Sequence, residues 1–495
     1  MGAARRCAPG RITLRGVRGV FTAQQVRDTE RVLIDRLPAG ALMRRAAFGL
    51  AVHLVRILRE RVGHVAGARV VLLVGAGDNG GDALWAGAEL RRRGVAVTAV
   101  LLAPDRAHRA GSAALRAAGG RTVTDGAGLL RGADLVVDGI VGISGRGALR
   151  DPAPALVDEA AAANIPIVAV DLPSGVDTDT GAVVGPAVTA AETVTFGALK
   201  PVHVLAAARC GAVHLVDIGL GPLLPEPRAR VLDDADVAAG WPLPGPTDDK
   251  YTQGVTGIAA GSSTYPGAAV LATGAAVLAT SGMVRYAGSA ADGVRARRPE
   301  VVATDALGDA GRVQAWTVGP GLGTDAAGRE ALAAVIAQGV PLCVDADAIT
   351  LLGEHADLRG AVRGKPVIVT PHDREFARIA GEVGDDRIGA ARRAAAELGV
   401  TVLLKGNATV VASPGGVVFV HPSAGSWAAT AGSGDVLSGI VGALLAAGRE
   451  PVWAGAAATH VHGVAAALAA RGAPAPASEI EAHIPDAIRA LATGD

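Results

Sequence analysis

Short runs of β-branched and apolar residues alternate with alanine-rich stretches along most of this chain, and few architectures accept that pattern. A strand covered by helices on both faces reads as a continuous apolar run, and such strands belong to parallel sheets. In the first part the strand candidates are 68–75, 95–102, 133–140, 165–172 and 212–219, with helical candidates such as DALWAGAELRRRG and ALVDEAAAAN between them. An amphipathic segment at 22–62 precedes them and is expected to pack as helices on the sheet. From 221 to 248 the text becomes GPLLPEPRARVLDDADVAAGWPLPGPTD, whose prolines stop any helix or central strand. This is a joint, with room for one short helix at its middle. The alternation then resumes at 255–262, 315–321, 341–347, 365–371 and 401–406. A chain of 495 residues is too long for one ordinary core. The expected fold class is α/β with two domains, the first a Rossmann-like parallel sheet with helices on both faces.

Composition narrows the classes. Half of the residues are apolar and 19% are charged, which is globular rather than disordered. Lys and Arg together number 47, as do Asp and Glu, so no charge excess favours nucleic acid or an anionic membrane. Cys7, Cys210 and Cys343 are far apart and form no CxxC or Cys/His cluster, which argues against a disulfide framework or zinc and suits a reducing cytoplasm. The first residues carry charge but no apolar core, unlike a secretory signal. The apolar stretch 268–284 is short for a membrane span and dense in small residues, so a buried helix packed closely on a sheet is expected. No membrane or nucleic-acid partner is expected, and a homo-oligomer is left open.

Chemistry gathers at strand ends. GAGDNGGDA at 75–83 leaves a strand and enters a helix, where α/β sheets bind ligands. Its glycines let main chain wrap phosphate or ribose, and Asn79 and Asp82 add oxygens. GAGDNG at 75–80 has the spacing GxGxxG, but it is not read as the dinucleotide fingerprint with a helix-packing third glycine. VVDGIVGISGRG at 136–147 supplies Asp138 and Arg146, and AVDLPSGVD at 169–177 supplies Asp171 and Ser174. Each aspartate alone could merely cap a turn. Together their hard oxygens suit a hard cation rather than zinc. In the second part, AGSGD at 431–435 opens an apolar helix. Free N–H groups and the helix dipole there attract an anion, Gly432 and Gly434 allow close approach, and Asp435 stands ready to accept a hydroxyl proton. GSSTYPGAAVLA at 261–272, VGPGLG at 318–323, VDADAI, TPHDREF at 370–376 and LLKGNATVV at 403–411 accompany it. Asp345, Asp347 and Glu375 could also be simple helix-terminal acids. Gly406–Asn407 reads as a hairpin turn or a nucleotide-edge loop.

GAGDNGGD, VDGIVGISGRG, DLPSGVD and the later TVTFGALKPVH and GAVHLVDIGLG resemble the NAD(P)H-hydrate epimerase family, over residues 20–222 and an expected domain of 1–222. The resemblance implies that Asp78, Asn79, Gly80, Gly81, Asp82, Gly142, Ile143, Ser144, Gly145, Arg146, Gly147, Ala148 and Asp171 hold a hydrated nicotinamide nucleotide. It assigns Asn79, Asp138 and Ser174 to potassium, and Asp171 is the candidate for proton transfer. Two departures stand out. DNGGDA replaces the usual NNGGDG, adding Asp78, and Arg44 in LMRRAAF replaces an acid. Past a joint at 223–248, the motifs of 231–495 resemble the ADP-dependent NAD(P)H-hydrate dehydratase family, which implies a ribokinase-like fold. Ala268, Gly321, His372 and Asp435 would then meet the hydrate, and Lys405, Gly406, Asn407, Ala408, Thr409 and Gly434 the adenine nucleotide, with magnesium on ADP. Here HDRE stands for the usual HPGE, although His372 and Glu375 survive. Both halves in one chain resemble the bifunctional nicotinamide-nucleotide repair enzymes, which epimerise the R and S hydrates of NADH and NADPH and dehydrate the S form at the expense of ADP. The rival reading is a ribokinase-like small-molecule kinase fused to a non-catalytic nucleotide-binding module.

Overall fold

The alternation of apolar runs and alanine-rich stretches builds two separate sheets. The structure, a computed structural model, describes residues 18–422 and 426–493, so Cys7 and the charged stretch at 1–16 lie outside the described residues. The chain divides into one compact unit of Gly19–Arg228 and another from Ala229 onward.

The first unit carries β1 (Arg69–Val74), β2 (Ala96–Leu101), β3 (Arg121–Val123), β4 (Leu135–Gly139), β5 (Ile167–Val170), β6 (Glu192–Phe196) and β7 (Ala212–Val216). They lie in the order β3-β2-β1-β4-β5-β6-β7, parallel throughout. The order reverses between β1 and β4, and at such a switch point the loops diverge and leave a crevice. The loops after β1, β4 and β5 are therefore neighbours. Around the sheet are α1 (Ala23–Ile34), α2 (Ala41–Val62), α3 (Asp78–Arg92), α4 (Arg109–Ala117) and α5 (Ala153–Ala162). The segment at 22–62 forms α1 and α2, as expected. The stretch 75–83 is shorter as a loop than its glycines suggest. Gly77, with φ of 101°, turns the chain and α3 starts at Asp78. Gly80 and Gly81 serve packing there: a Cβ on Gly80 would meet Val74 Cγ1 at 3.0 Å, and one on Gly81 would meet Met43 Cε at 2.9 Å.

The second unit has β8 (Ala229–Val231), β9 (Val255–Ala259), β10 (Met283–Ala287), β11 (Val302–Thr304), β12 (Ala315–Val318), β13 (Leu342–Val344), β14 (Val367–Val369), β15 (Thr401–Leu404), β16 (Ala408–Ala412) and β17 (Val418–Pro422). Their order is β8-β17-β16-β15-β14-β13-β12-β9-β10-β11. The run from β11 to β15 is parallel, while β15, β16 and β17 pair antiparallel, so Gly406–Asn407 is a hairpin turn. The segment read as a joint contains β8 and a short helix, Asp234–Gly240, at its middle.

The apolar run 268–284 splits. Most of it is α6 (Pro266–Ala279), and its end begins β10. Helix α6 lies against α8 (Ser433–Ala446) so closely that a Cβ on Gly439 would meet Ala275 Cβ at 2.9 Å, which explains its small residues. Among the described residues one helix, α9 (Pro451–Ala470), is long and apolar enough to cross a membrane. Its Trp453, Ala457, Val461 and Ala465 are buried in the same core as α6 and α8.

Candidate active sites

In the first unit the three strand-end loops meet as the topology requires. Asp138 closes β4 and is fully buried. Its Oδ1 accepts from the Ser174 hydroxyl at 2.7 Å and the Ile140 N–H at 3.2 Å, and its Oδ2 accepts from the Ser174 N–H at 2.8 Å. Burial raises the Asp138 carboxyl to about 6, against the pull of the Ser174 bonds. Asn79, in the first turn of α3, lies beside Gly142, where a Cβ would meet Asn79 Oδ1 at 3.0 Å. Asn79 Nδ2 and Asp82 Oδ1 are buried without hydrogen-bond partners. Native proteins rarely leave such atoms unpaired. Burial, followed by the charges of Asp171, Asp78 and Glu30, pushes Asp82 well above the usual carboxylate range.

Asp171 follows β5 with φ of 66°, a conformation that costs a non-glycine residue free energy and persists only under constraint. The constraint is visible. The Asp171 N–H donates to Val194 O at 2.8 Å, and its carbonyl oxygen lies 2.8 Å from His203 Nε2. Its Oδ1 accepts from Thr195 Oγ1 at 2.9 Å and from Lys200 Nζ at 2.5 Å. Burial alone would raise this carboxyl, but the Lys200 ammonium and its hydrogen bond outweigh burial and hold it below its ordinary value. His203 accepts the Lys200 N–H on Nδ1 at 3.0 Å. Burial and the Lys200 charge lower it to about 4, so it is neutral and its Nε2–H donates to Asp171 O.

Elsewhere in this crevice, Arg27 on α1 approaches Ile143 O at 3.4 Å and Ser144 Oγ at 3.5 Å. Gly145 closes a turn on Gly142 O at 2.8 Å, Arg146 and Gly147 are exposed, and Ala148 turns toward Gly185. The two departures act differently. Asp78 is exposed, and its charge helps to raise Asp82 and Glu30, the latter to about 7 chiefly by burial. Arg44 instead bonds the carbonyl oxygen of Ala39 at 3.2 Å.

In the second unit Gly432, in the left-handed region at φ 84°, precedes α8 as its cap, and Asp435 stands in the first turn of the helix. A Cβ on Gly434 would meet Lys405 Nζ at 3.4 Å and Asp345 Oδ2 at 4.0 Å. Lys405 Nζ donates to Asp345 Oδ1 at 2.7 Å and lies 3.8 Å from Glu375 Oε2. Burial disfavours its charge, but these two carboxylates outweigh burial and hold the ammonium above its ordinary value. Burial, then the Asp345 charge, raises Asp435 to about 7, with Lys405 pulling the other way. His372 caps α7 (Asp373–Ala380): Nδ1 accepts from Arg374 N–H at 3.1 Å and Glu375 N–H at 3.3 Å, while Glu375 Oε2 accepts the His372 N–H at 2.9 Å. With Nδ1 accepting, Nε2 of the half-exposed ring carries the proton and lies 3.5 Å from Glu375 Oε1. Gly321, at φ 61°, packs where a Cβ would meet Ala268 Cβ at 3.0 Å, so these two expected residues are adjacent. Asp347 Oδ2 accepts the Gly323 N–H at 2.8 Å and ties two of the loops together.

The expected nucleotide set divides. Gly406, Asn407 and Thr409 line a cavity of about 70 Å³ with His421, Trp427 and His462. Lys405 turns toward Gly434, and Ala408 is buried in β16. His462 Nε2 lies 3.0 Å from Ser433 Oγ, on the first residue of α8. Sequence reasoning did not single out Thr195, Lys200, His203, Glu30, Thr370 or His462. For Lys200 a signal existed: a cation before proline in an otherwise apolar stretch, FGALKPVHVL. Thr370, whose hydroxyl donates to Asp345 Oδ1 at 2.7 Å, offered none.

Comparison with known proteins gives the following. Residues 39–202 match the family described as YjeF-related protein N-terminus, and residues 256–486 match the NAD(P)H-hydrate dehydratase family. A Mycobacterium leprae protein named bifunctional NAD(P)H-hydrate repair enzyme Nnr is 56% identical over 96% of this chain and 100% of its own length. A Mycobacterium tuberculosis protein of the same name is 59% identical over 87% of this chain and 90% of its own. Among solved structures, the Bacillus subtilis ADP/ATP-dependent NAD(P)H-hydrate dehydratase is 26% identical, covering 53% of this chain and 98% of its own, with a TM-score of 0.47.

Proposed function

This chain belongs to the family of bifunctional NAD(P)H-hydrate repair enzymes, and we propose that it restores hydrated NADH and NADPH with two separate active sites. Residues 1–222 interconvert the R and S epimers of the hydrate. Residues 231–495, after a joint at 223–248, dehydrate the S form with ADP, releasing AMP and phosphate.

In the dehydratase, hydroxide is a poor leaving group, so the added hydroxyl is first phosphorylated. Asp435 takes the hydroxyl proton as the oxygen attacks the β-phosphorus of ADP, and AMP leaves with the electrons of the broken P–O bond. The phosphate then departs with its C–O electrons, driven by the ring nitrogen lone pair, and loss of a proton from the adjacent carbon restores NAD(P)H. Phosphoryl transfer asks mainly for positioning and charge stabilisation. The observation that carries this reading is the meeting of the α8 N-terminus, Asp435 and the Lys405 ammonium around Gly434, where a side chain would fill the space a phosphate needs. Ala268, Gly321 and His372 would receive the hydrate. Lys405 and Gly434 would meet phosphate, and Gly406, Asn407 and Thr409 the nucleotide base, with Ala408 fixing their strand. Magnesium would arrive on the ADP phosphates, supplying charge neutralisation.

In the epimerase, Asp171 would move the proton at the hydrated carbon. The loops at 78–82 and 142–148 would hold the nucleotide. Asn79, Asp138 and Ser174 offer amide, carboxylate and hydroxyl oxygens, a hard donor set that suits potassium, which would fix the loops and offset nearby acids. The free buried thiols Cys210 and Cys343 suit a reducing cytoplasm.

The test is stoichiometric. Purified protein given hydrated NADH and ADP should form NADH, AMP and phosphate in equal amounts. If hydrates are ignored and ATP with a vitamin or sugar alcohol gives a stable phosphorylated product, the dehydratase assignment fails.

A further inference from the structure

Asp171 is held at every polar atom but one. Its N–H, its carbonyl oxygen and its Oδ1 are all engaged, and Oδ1 is engaged twice. The Oδ1 partners belong to β6 and the turn after it. Lys200 Nζ reaches Asp171 Oδ1 at 2.5 Å, Thr195 Oγ1 at 2.9 Å and Phe196 O at 3.3 Å, so all three ammonium hydrogens have acceptors. Its side chain is 1% exposed, which leaves no room for Lys200 to meet a substrate itself. Asp171 keeps a tenth of its side-chain surface open, and among the described residues Oδ2 takes no hydrogen bond.

We propose that Lys200 is a positioning residue for Asp171: with Thr195 it holds Oδ1, so that Oδ2 alone faces the substrate in one fixed orientation. Burying an ion pair costs more in desolvation than a well-packed apolar pair would, which makes a purely structural role for Lys200 an expensive choice. His203 completes the device from the main-chain side. Its neutral ring links the Lys200 N–H to the Asp171 carbonyl and so holds the left-handed turn that aims the carboxylate. The inference rests on the reading of this unit as an epimerase.

Lys200→Met and Thr195→Val in the full-length protein test it. R-to-S conversion of hydrated NADH is followed without ADP, by separating the epimers, across a pH series. Lys200→Met should lower kcat by about 100-fold or more, within the range general acid–base groups supply, and leave KM within about threefold. Its acid limb should move to higher pH, because the Lys200 ammonium and its hydrogen bond are what hold the Asp171 carboxyl down against burial. Thr195→Val, which removes a hydroxyl at nearly constant size, should shift the limb the same way by less, and should lower the melting temperature only modestly, since one Lys200 N–H loses its acceptor while the ion pair stays. It therefore decides the matter if Lys200→Met does not fold. A wild-type kcat and acid limb in the folded variants, or a loss confined to KM, overturns the proposal. If wild-type protein converts R no faster than Asp171→Ala does, the epimerase reading itself has failed.

Discussion

Asp171, buried, and Asp435, half-buried, both stand at the mouths of α/β sheets, yet their surroundings move their carboxyls in opposite directions. Around Asp435, burial and the Asp345 charge exceed the pull of Lys405, and the group settles at about 7. Around Asp171, Lys200 is in direct contact and overcomes burial. The difference is one of distance and partner. Lys405 gives its short hydrogen bond to Asp345 at 2.7 Å, leaving Asp435 only its field. A base that titrates near neutrality suits proton removal at physiological pH. Dehydration by this protein should therefore fall as pH drops through about 7, since only the ionised carboxylate accepts the hydroxyl proton. Asp435→Asn should lower dehydratase kcat by about 10²–10⁴-fold with the melting temperature unchanged. A flat pH–rate profile from 6 to 8, or an Asn variant of normal turnover, would place the base elsewhere.

At the scale of elements, the proposed sites gather at strand ends and helix starts, and in α7 one residue would serve structure and ligand together. His372 Nδ1 caps two N–H groups, while the half-exposed ring holds Nε2 3.5 Å from Glu375 Oε1. His372→Ala should cost about 1 kcal/mol through the lost cap. His372→Asn retains a capping oxygen, so stability should be nearly preserved while KM for the hydrate rises. Denaturant unfolding set beside kinetics separates the two, and equal stability losses in both variants would contradict this division of roles. Such helix starts were legible because glycines and acids at strand ends are themselves the local signal. Asp138, Ser174 and Asp435 stood out in this way, and so did the small-residue helix α6. The start of α3 at Asp78 was hidden, since glycines selected for close packing look like those selected for a loop. Strands β3 and β11, three residues each, are too short to show a period. Lys200 carried a local signal, a cation before proline in an apolar stretch, but its pairing with Asp171, 29 residues away, is one that no local pattern encodes.

Across the whole molecule, the two family matches fall on different compact units, 39–202 within Gly19–Arg228 and 256–486 beyond Ala229. Each unit has its own sheet and its own candidate aspartate, so the two reactions can be disabled independently. The logic of joining them in one chain is chemical: a dehydratase that accepts only the S epimer strands the R form unless an epimerase feeds it. The most direct measurement uses three full-length proteins on a mixture of R and S hydrates with excess ADP, scoring the R epimer left when S is exhausted. Wild-type protein should clear both epimers. Asp171→Ala should consume S at the wild-type rate and leave R to decay at its spontaneous rate, and Asp435→Asn should equilibrate the epimers while forming almost no NADH. If wild-type protein leaves as much R as Asp171→Ala does, the first unit is not an epimerase and the account of two coupled repair sites is wrong.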